Sequence, residues 1–171
     1  MTLRSLLSIF LIVFGVLPGR LQAEKQRHDL ARVEKVIDGD TLLVAIGGKR
    51  EHLRLIGIDT PESKYNKRAE MQAKRSAKDL STIYALGKRA AEFSASLAPS
   101  KSTVFLEYDV ERRDQYDRLL AYVHLPDGRL LNEELLRAGH ASLLTYPPNI
   151  RYLKRLQAAF QQGQKLHSMR D

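Results

Sequence analysis

Apolar and polar residues alternate in short runs over 31–58, and turn residues interrupt them: Asp38-Gly39 after the first run, Gly47-Gly48 after the second. Asp-Gly and Gly-Gly between β-branched and aliphatic residues are hairpin signals, so the pattern predicts strands over 31–37, 41–46 and 51–58. The period then changes. Over 68–97 the chain is rich in Ala, Lys, Arg, Leu and Glu, and Ile83, Leu86, Ala90, Phe93 and Leu97 fall three and four apart. That spacing predicts one long helix, weakened at Gly87 and stopped by Pro99. Alternation returns over 103–110 and 119–125, predicting two more strands, with Asp127-Gly128 turning the chain after the second. A short helix is expected over 132–137, ended by Gly139. A last helix is expected over 150–162, where Leu153, Leu156 and Phe160 share one face.

Five strands and three helices in the order βββαββαα describe an α+β chain with a mainly β core, a small five-stranded barrel with the helices packed outside. An oligonucleotide-binding (OB) barrel, whose face and loops serve nucleic acid, is the natural candidate. A chain of 171 residues has room for one such domain. Its composition, 43% hydrophobic and 28% charged, is ordinary for a folded protein, so disorder is not the default.

Ahead of the domain, Arg4 precedes an apolar run over 6–17, followed by Pro18-Gly19 and Ala23. A positive start, a short apolar stretch and a small residue at the cut predict a signal peptide over 1–23 and a mature domain over 24–171. The run is short for a bilayer span of about 20 residues, although an uncleaved membrane anchor is the other reading of the same residues. Cleavage predicts a secreted or periplasmic protein of bacterial type with no stable membrane association. No apolar patch marks an obligate interface, so a monomer is expected. The net charge is +8, and cleavage removes Arg4 and Arg20 but no acid, so the chain stays basic. It has no cysteine, which excludes disulfides, thiolate catalysis and Cys-based zinc sites together.

In so basic a chain, two compact acidic clusters stand out: Asp38-Gly39-Asp40-Thr41 and Asp59-Thr60-Pro61-Glu62. Asp-Gly-Asp alone is first a turn. The second cluster changes its meaning, because Pro61 restricts Thr60 to an extended conformation that can present its carbonyl outward. Hard cations take oxygens from carboxylates, carbonyls and water, so Asp40, Asp59 and the Thr60 carbonyl make a partial shell. Glu62 is placed to hold or deprotonate a water, or else to complement a helix N-terminus. Arg54, in an apolar strand, and Arg118, in a polar turn, are candidates for clamping phosphate oxygens. Arg54 and Asp59 differ by five positions and share a site only if the strand bends or ends between them. The five histidines, His28, His52, His124, His140 and His167, show no metal-ligand spacing and are assigned structural or surface roles.

Four segments in order resemble the thermonuclease (staphylococcal nuclease) family: Val36-Ile37-Asp38-Gly39-Asp40-Thr41, the run from Leu53 to Glu62, the run from Asp114 to Tyr122, and Asp127-Gly128 with Leu131-Asn132-Glu133. The resemblance spans about 33–152. It implies an OB barrel and a Ca²⁺-dependent nuclease that cleaves DNA and RNA with little sequence preference, leaving 3′-phosphates. On that resemblance Arg54, Glu62 and Arg118 are catalytic, Asp40, Asp59 and Thr60 hold Ca²⁺, and Asp38 is a neighbouring acid. Water held by Ca²⁺ and Glu62 would attack phosphorus in line, with the two arginines stabilising the transition state. Tyr116 matches one position that contacts the nucleotide, and Tyr146 is the tyrosine present near the second. Three features depart from the family pattern. Residues 63–82 form a longer, basic segment, either an arm over the substrate that includes Lys64 and Lys67 or a solvated helix face. Asp117 stands where the family has glycine. Leu144 and Thr145 stand where a second tyrosine is expected. A binding module at the cell envelope with weak catalysis is the alternative, yet it predicts loss of some of Asp40, Arg54, Asp59, Glu62 and Arg118, and all five are present.

Overall fold

The computed structural model describes residues 28–168; the leader expected over 1–23 lies outside them. The chain runs β1 (Asp29–Asp38), β2 (Thr41–Ile46), β3 (Lys49–Leu55), β4 (Ile58–Asp59), α1 (Lys67–Ser76), α2 (Leu80–Leu97), β5 (Thr103–Glu107), β6 (Leu119–His124), α3 (Leu131–Arg137), β7 (Ser142–Leu143) and α4 (Leu153–Ser168). Five strands close a barrel in the order β1-β2-β3-β6-β5, with β5 returning antiparallel to β1 and β3 lying parallel to β6. The expected α+β OB barrel is therefore the fold. Its interior is filled by alternate residues of each strand, Val33 and Ala31, Leu42 and Val44, Leu53 and Leu55, Val104 and Leu106, Ala121 and Val123, all essentially buried. Leu131, Leu135 and Leu136 of α3 and Leu156 of α4 extend that core, each large side chain contributing about 2 kcal/mol by burial.

Two predicted elements are divided. The strand expected over 51–58 ends at Leu55, and Gly57, at φ +83°, turns the chain into the separate strand β4, which pairs with β7. The helix expected over 68–97 is two helices, so four helices rather than three surround the barrel. Helix α1 closes at Ala77 in the left-handed conformation, and Asp79 starts α2 by accepting the Thr82 N–H at 2.7 Å. Among the described residues no helix is long and apolar enough to cross a membrane.

The deepest face of α2 is also not the large apolar one that the spacing suggested. Besides Ile83, its buried residues are Gly87, Ala90 and Ser94. Small side chains are needed there because backbone lies against them. A Cβ at Gly39, in the β1–β2 turn, would lie 2.7 Å from the Ala90 Cβ, and the Ser94 hydroxyl donates to the Gly39 carbonyl at 2.5 Å. A Cβ at Gly87 would lie 2.3 Å from the backbone carbon and oxygen of Glu62. Helix α2 is thus a close-fitting plate behind both acidic segments.

Candidate active site

Arg54 joins the two acidic segments. The turn at Gly57 folds the chain so that Asp59 returns to the side of Arg54, which resolves their five-residue separation; glycine is required there by its torsion and because a Cβ would meet Leu156 Cδ1 at 2.4 Å. Arg54 Nη2 donates to Asp59 Oδ1 at 2.7 Å. Its Nη1 lies 2.6 Å from Asp40 Oδ2, an ionic contact without hydrogen-bond alignment. At 5% exposure the guanidinium would be costly unpaired, and two carboxylates from different segments balance it.

The same two segments are bonded directly. Asp40 accepts the Thr60 N–H through Oδ2 at 2.7 Å and the Thr41 hydroxyl through Oδ1 at 2.9 Å. Asp38 accepts the Ser63 N–H at 3.1 Å and, through the same oxygen, the Ser63 hydroxyl. Asp38 therefore fastens the segment that follows Glu62, consistent with a supporting acid.

Glu62 is held on every side by residues of the basic segment. Asn66, the N-cap of α1, donates to Glu62 Oε2 at 2.9 Å, and Arg68 Nε lies 3.0 Å from Oε1. The Glu62 N–H donates to Gln72 Oε1 at 2.9 Å, while Gln72 Nε2 donates to the Thr60 carbonyl at 3.2 Å. Arg68 Nη2 also reaches Asp59 Oδ1 at 2.5 Å. Burial disfavours the Arg68 charge, but the charges on Asp59, Glu62 and Asp40 outweigh it and raise the Arg68 pKa above its ordinary value.

Arg118 enters from the turn before β6. Asp114 builds that turn by accepting the Tyr116 and Arg118 N–H groups at 2.9 and 3.0 Å, and its Oδ2 holds Arg118 Nε and Nη2, each at 2.7 Å. Burial pushes the Asp114 carboxyl up, but these bonds outweigh it and hold it below the ordinary carboxylate range. Asp117 occupies the left-handed region at φ +62°, as a residue replacing glycine must. Its carboxylate turns outward to Arg113, at 3.4 Å, rather than into the site.

A cavity of about 450 Å³ brings Arg54, Arg68, Arg118, Tyr116, Tyr146 and Asn149 to one wall system. Tyr116 and Tyr146 are 71% and 70% exposed, so both rings have a free face at its rim, and the Arg118 guanidinium lies 5.4 Å from the Tyr116 ring centre. Lys64 and Lys67 are exposed but do not line this cavity. Sequence reasoning missed the contributions of Asn66, Arg68 and Gln72, all on the segment that reads equally as arm or solvated face. It also missed Asn132, fully buried, which accepts the Val123 N–H and donates to the Ile56 carbonyl, pinning the turn between Arg54 and Asp59. Asn66, a capping residue type directly before Lys67-Arg68-Ala69-Glu70, was the available signal for a helix starting there, and its side chain accepts the Ala69 N–H.

The donors suit a hard dication. Two carboxylates and a carbonyl, all oxygen, are gathered by Arg54 and by the Thr60–Asp40 bond, and the buried Thr60 hydroxyl has no hydrogen-bond partner among the described residues. A second cluster surrounds Glu107, where His124 Nε2 lies 2.7 Å and His28 Nε2 3.4 Å from Oε2. That carboxylate also accepts from Arg151 and from the Tyr152 hydroxyl, each at 2.8 Å, so it works as the centre of a buried ionic network. Burial pushes Glu107 up, but bonds from Arg151, Tyr152 and His124 outweigh it and hold it below its ordinary value. His28 and His124, which show no metal-ligand spacing in the sequence, thus offer ligand atoms that lie with the Glu107 carboxylate within 4.8 Å of one another; His140 packs on Phe93 and His52 is exposed, while the His167 side chain lies outside what is described.

A family profile described as "Staphylococcal nuclease homologue" matches residues 52–168. The chain is 38% identical over 135 residues to a thermonuclease of Staphylococcus hyicus, covering 79% of this chain and 71% of that protein. It is 34% identical over 157 residues to a thermonuclease of Staphylococcus intermedius, covering 92% and 84%. To endonuclease YncB of Bacillus subtilis (strain 168) it is 36% identical over 123 residues, covering 71% of this chain and 51% of that protein. The profile match over most of the chain, with relatives above 30% identity along its length, means that the chain belongs to the staphylococcal nuclease family.

Proposed function

We propose that this nuclease hydrolyses the backbone of DNA and RNA with little sequence preference, using Ca²⁺ and leaving 3′-phosphates. The observation that carries the reading is Arg54: one buried guanidinium touches both Asp40 and Asp59 and also lines the cavity that Arg118 lines. Asp40, Asp59 and Glu62 do not themselves line that cavity, and Arg54 is the group that sets the carboxylates a cation needs beside the guanidinium groups a phosphodiester needs. In the reaction Glu62 takes a proton from water as the water oxygen bonds to phosphorus. The bond from phosphorus to the 5′ oxygen then breaks, and that oxygen takes a proton from solvent water to leave as the 5′ hydroxyl. Arg54 and Arg118 hold the phosphoryl oxygens, with Arg118 nearest the leaving oxygen, and offset the charge that develops there. Asp40, Asp59 and the Thr60 carbonyl would hold the ion, which when bound supplies Lewis-acid polarisation of a phosphoryl oxygen. Tyr116 and Tyr146 present faces on which a base can stack.

Export through the leader at 1–23 to the periplasm or medium, and action as a monomer, belong to the same proposal. The test is hydrolysis of single-stranded DNA and RNA by the purified protein in Ca²⁺ and in chelator, with the product ends identified. Ca²⁺-dependent cleavage to 3′-phosphates is expected. Binding of either strand without Ca²⁺-dependent cleavage at any pH from neutral to alkaline would identify a binding module instead. N-terminal sequencing of the exported form should begin near Glu24.

A further inference from the structure

Helix α1, which the family pattern does not predict, places a cation on the oxygens assigned to metal and water. Asp59 Oδ1 receives two guanidinium groups at once, Arg54 Nη2 at 2.7 Å and Arg68 Nη2 at 2.5 Å, and Arg68 Nε also contacts Glu62 Oε1 at 3.0 Å. A divalent ion drawn to Asp59 would therefore meet two like charges already seated on one of its oxygens, and release of one of the two arginines relieves that repulsion. The arginines are unequal. The Arg54 side chain is 6% exposed and fixed between two carboxylates, whereas Arg68 is 40% exposed on a long, flexible stem. Arg68 also lines the cavity that Arg54 and Arg118 line, so it can withdraw into the space where phosphate binds. Its release need not undock α1, because Asn66 holds Glu62 and Gln72 holds the Glu62 N–H and the Thr60 carbonyl independently.

We propose that Arg68 is an exchangeable internal cation: it neutralises Asp59 and Glu62 until Ca²⁺ takes Asp59 and water takes Glu62, and then becomes a third guanidinium for the substrate phosphate. This rests on the Ca²⁺ reading above. Exchange lowers the affinity for free Ca²⁺ and raises it when polynucleotide is present, since phosphate gives the displaced arginine a new partner. Ion and substrate are then linked through one side chain, each strengthening the other's binding.

The test is calorimetric titration of the full protein with Ca²⁺ in the absence of nucleic acid, comparing Arg68→Ala and Arg68→Gln with the parent. Both variants should bind Ca²⁺ about tenfold more tightly, the effect of removing a charge-assisted competitor. In saturating Ca²⁺ the same variants should show a higher KM for single-stranded DNA. They should also show a salt dependence of binding shallower by about 0.7, the loss of one phosphate contact. Thermal unfolding identifies whether a variant is folded, and Arg68→Gln, which keeps the aliphatic stem and an N–H donor without the charge, serves if Arg68→Ala is not. Equal or weaker Ca²⁺ binding by a folded variant would overturn the exchange while leaving the Ca²⁺ reading intact. Absence of Ca²⁺ binding by parent and variants alike would overturn both.

Discussion

Gly87→Ala tests the idea that α2 sets the position of Glu62. The added Cβ would lie 2.3 Å from two backbone atoms of Glu62 and 2.6 Å from the Ser63 nitrogen, where ordinary contact begins at 3.4 Å. These are main-chain atoms, held in turn by Gln72 and Asp38, so no side-chain rotation relieves the clash. The segment must move by about 1 Å. In a helix interior, Gly to Ala alone contributes about 1 kcal/mol of stability, and overpacking costs about 1–3 kcal/mol. The net loss of stability is therefore small, about 1 kcal/mol. Displacing a reacting group by 1 Å costs roughly a hundredfold in rate, equivalent to about 2.7 kcal/mol of transition-state stabilisation. Activity should fall much further than stability. Initial rates on single-stranded DNA, read beside urea denaturation, separate the two quantities. Gly163→Ala is the control, because its Cβ would lie 2.3 Å from the Leu136 carbonyl, between α4 and α3, and should lower stability while turnover stays near the parent. Full turnover by Gly87→Ala with raised stability would refute the argument.

Glu62→Gln and Arg118→Ala should each lower kcat by a factor of roughly 10²–10⁴ without changing the far-ultraviolet dichroism, and unchanged turnover would reject the roles assigned to them. Folding lowers the Glu107 pKa, so stabilisation by its network is complete above the ordinary value of 4.5 and is lost as pH falls through the lower folded-state value. Glu107→Gln should accordingly cost about 3 kcal/mol at neutral pH, and its urea midpoint should converge on the parent's in acid; a pH-independent gap would refute the linkage. Asp117→Gly should relieve the torsion at φ +62° and raise stability by up to about 1 kcal/mol, read as a higher urea midpoint, whereas a lower midpoint would show that the outward pair with Arg113 matters more.

The barrel was legible because its strands alternate and its turns carry Asp-Gly and Gly-Gly. The acidic segments stood out as compact clusters in a basic chain and Arg54 as a charge in an apolar strand, whereas Arg118, in a polar turn, was singled out by the family resemblance. What escaped depended on contacts between distant segments. Gly87 looks like a weak point in a helix until the Glu62 backbone is seen against it. Asp79 reads as one more polar residue in a helical run, and becomes a cap only when Ala77 takes the left-handed conformation ahead of it. Arg68 is one of many cations in its segment, and only the fold of α1 distinguishes it from Lys64 and Lys67 by turning it to Asp59. Charge runs carry no direction, so periodicity could not have chosen among them.

The parallel pairing of β3 with β6 has a bearing on when, during synthesis, the proposed centre can first exist. Arg54 lies opposite Leu120 in that pairing, so the strand that follows Arg118 docks beside the strand that carries Arg54. Parallel neighbours cannot be joined by a hairpin, and here α1, α2 and β5 all intervene. During synthesis Arg54 leaves the ribosome well before Arg118, and the two guanidinium groups come to one cavity only after the barrel closes. A growing or unfolded chain holds every residue of the proposed centre without the centre itself, so whatever that centre does waits for the barrel to close.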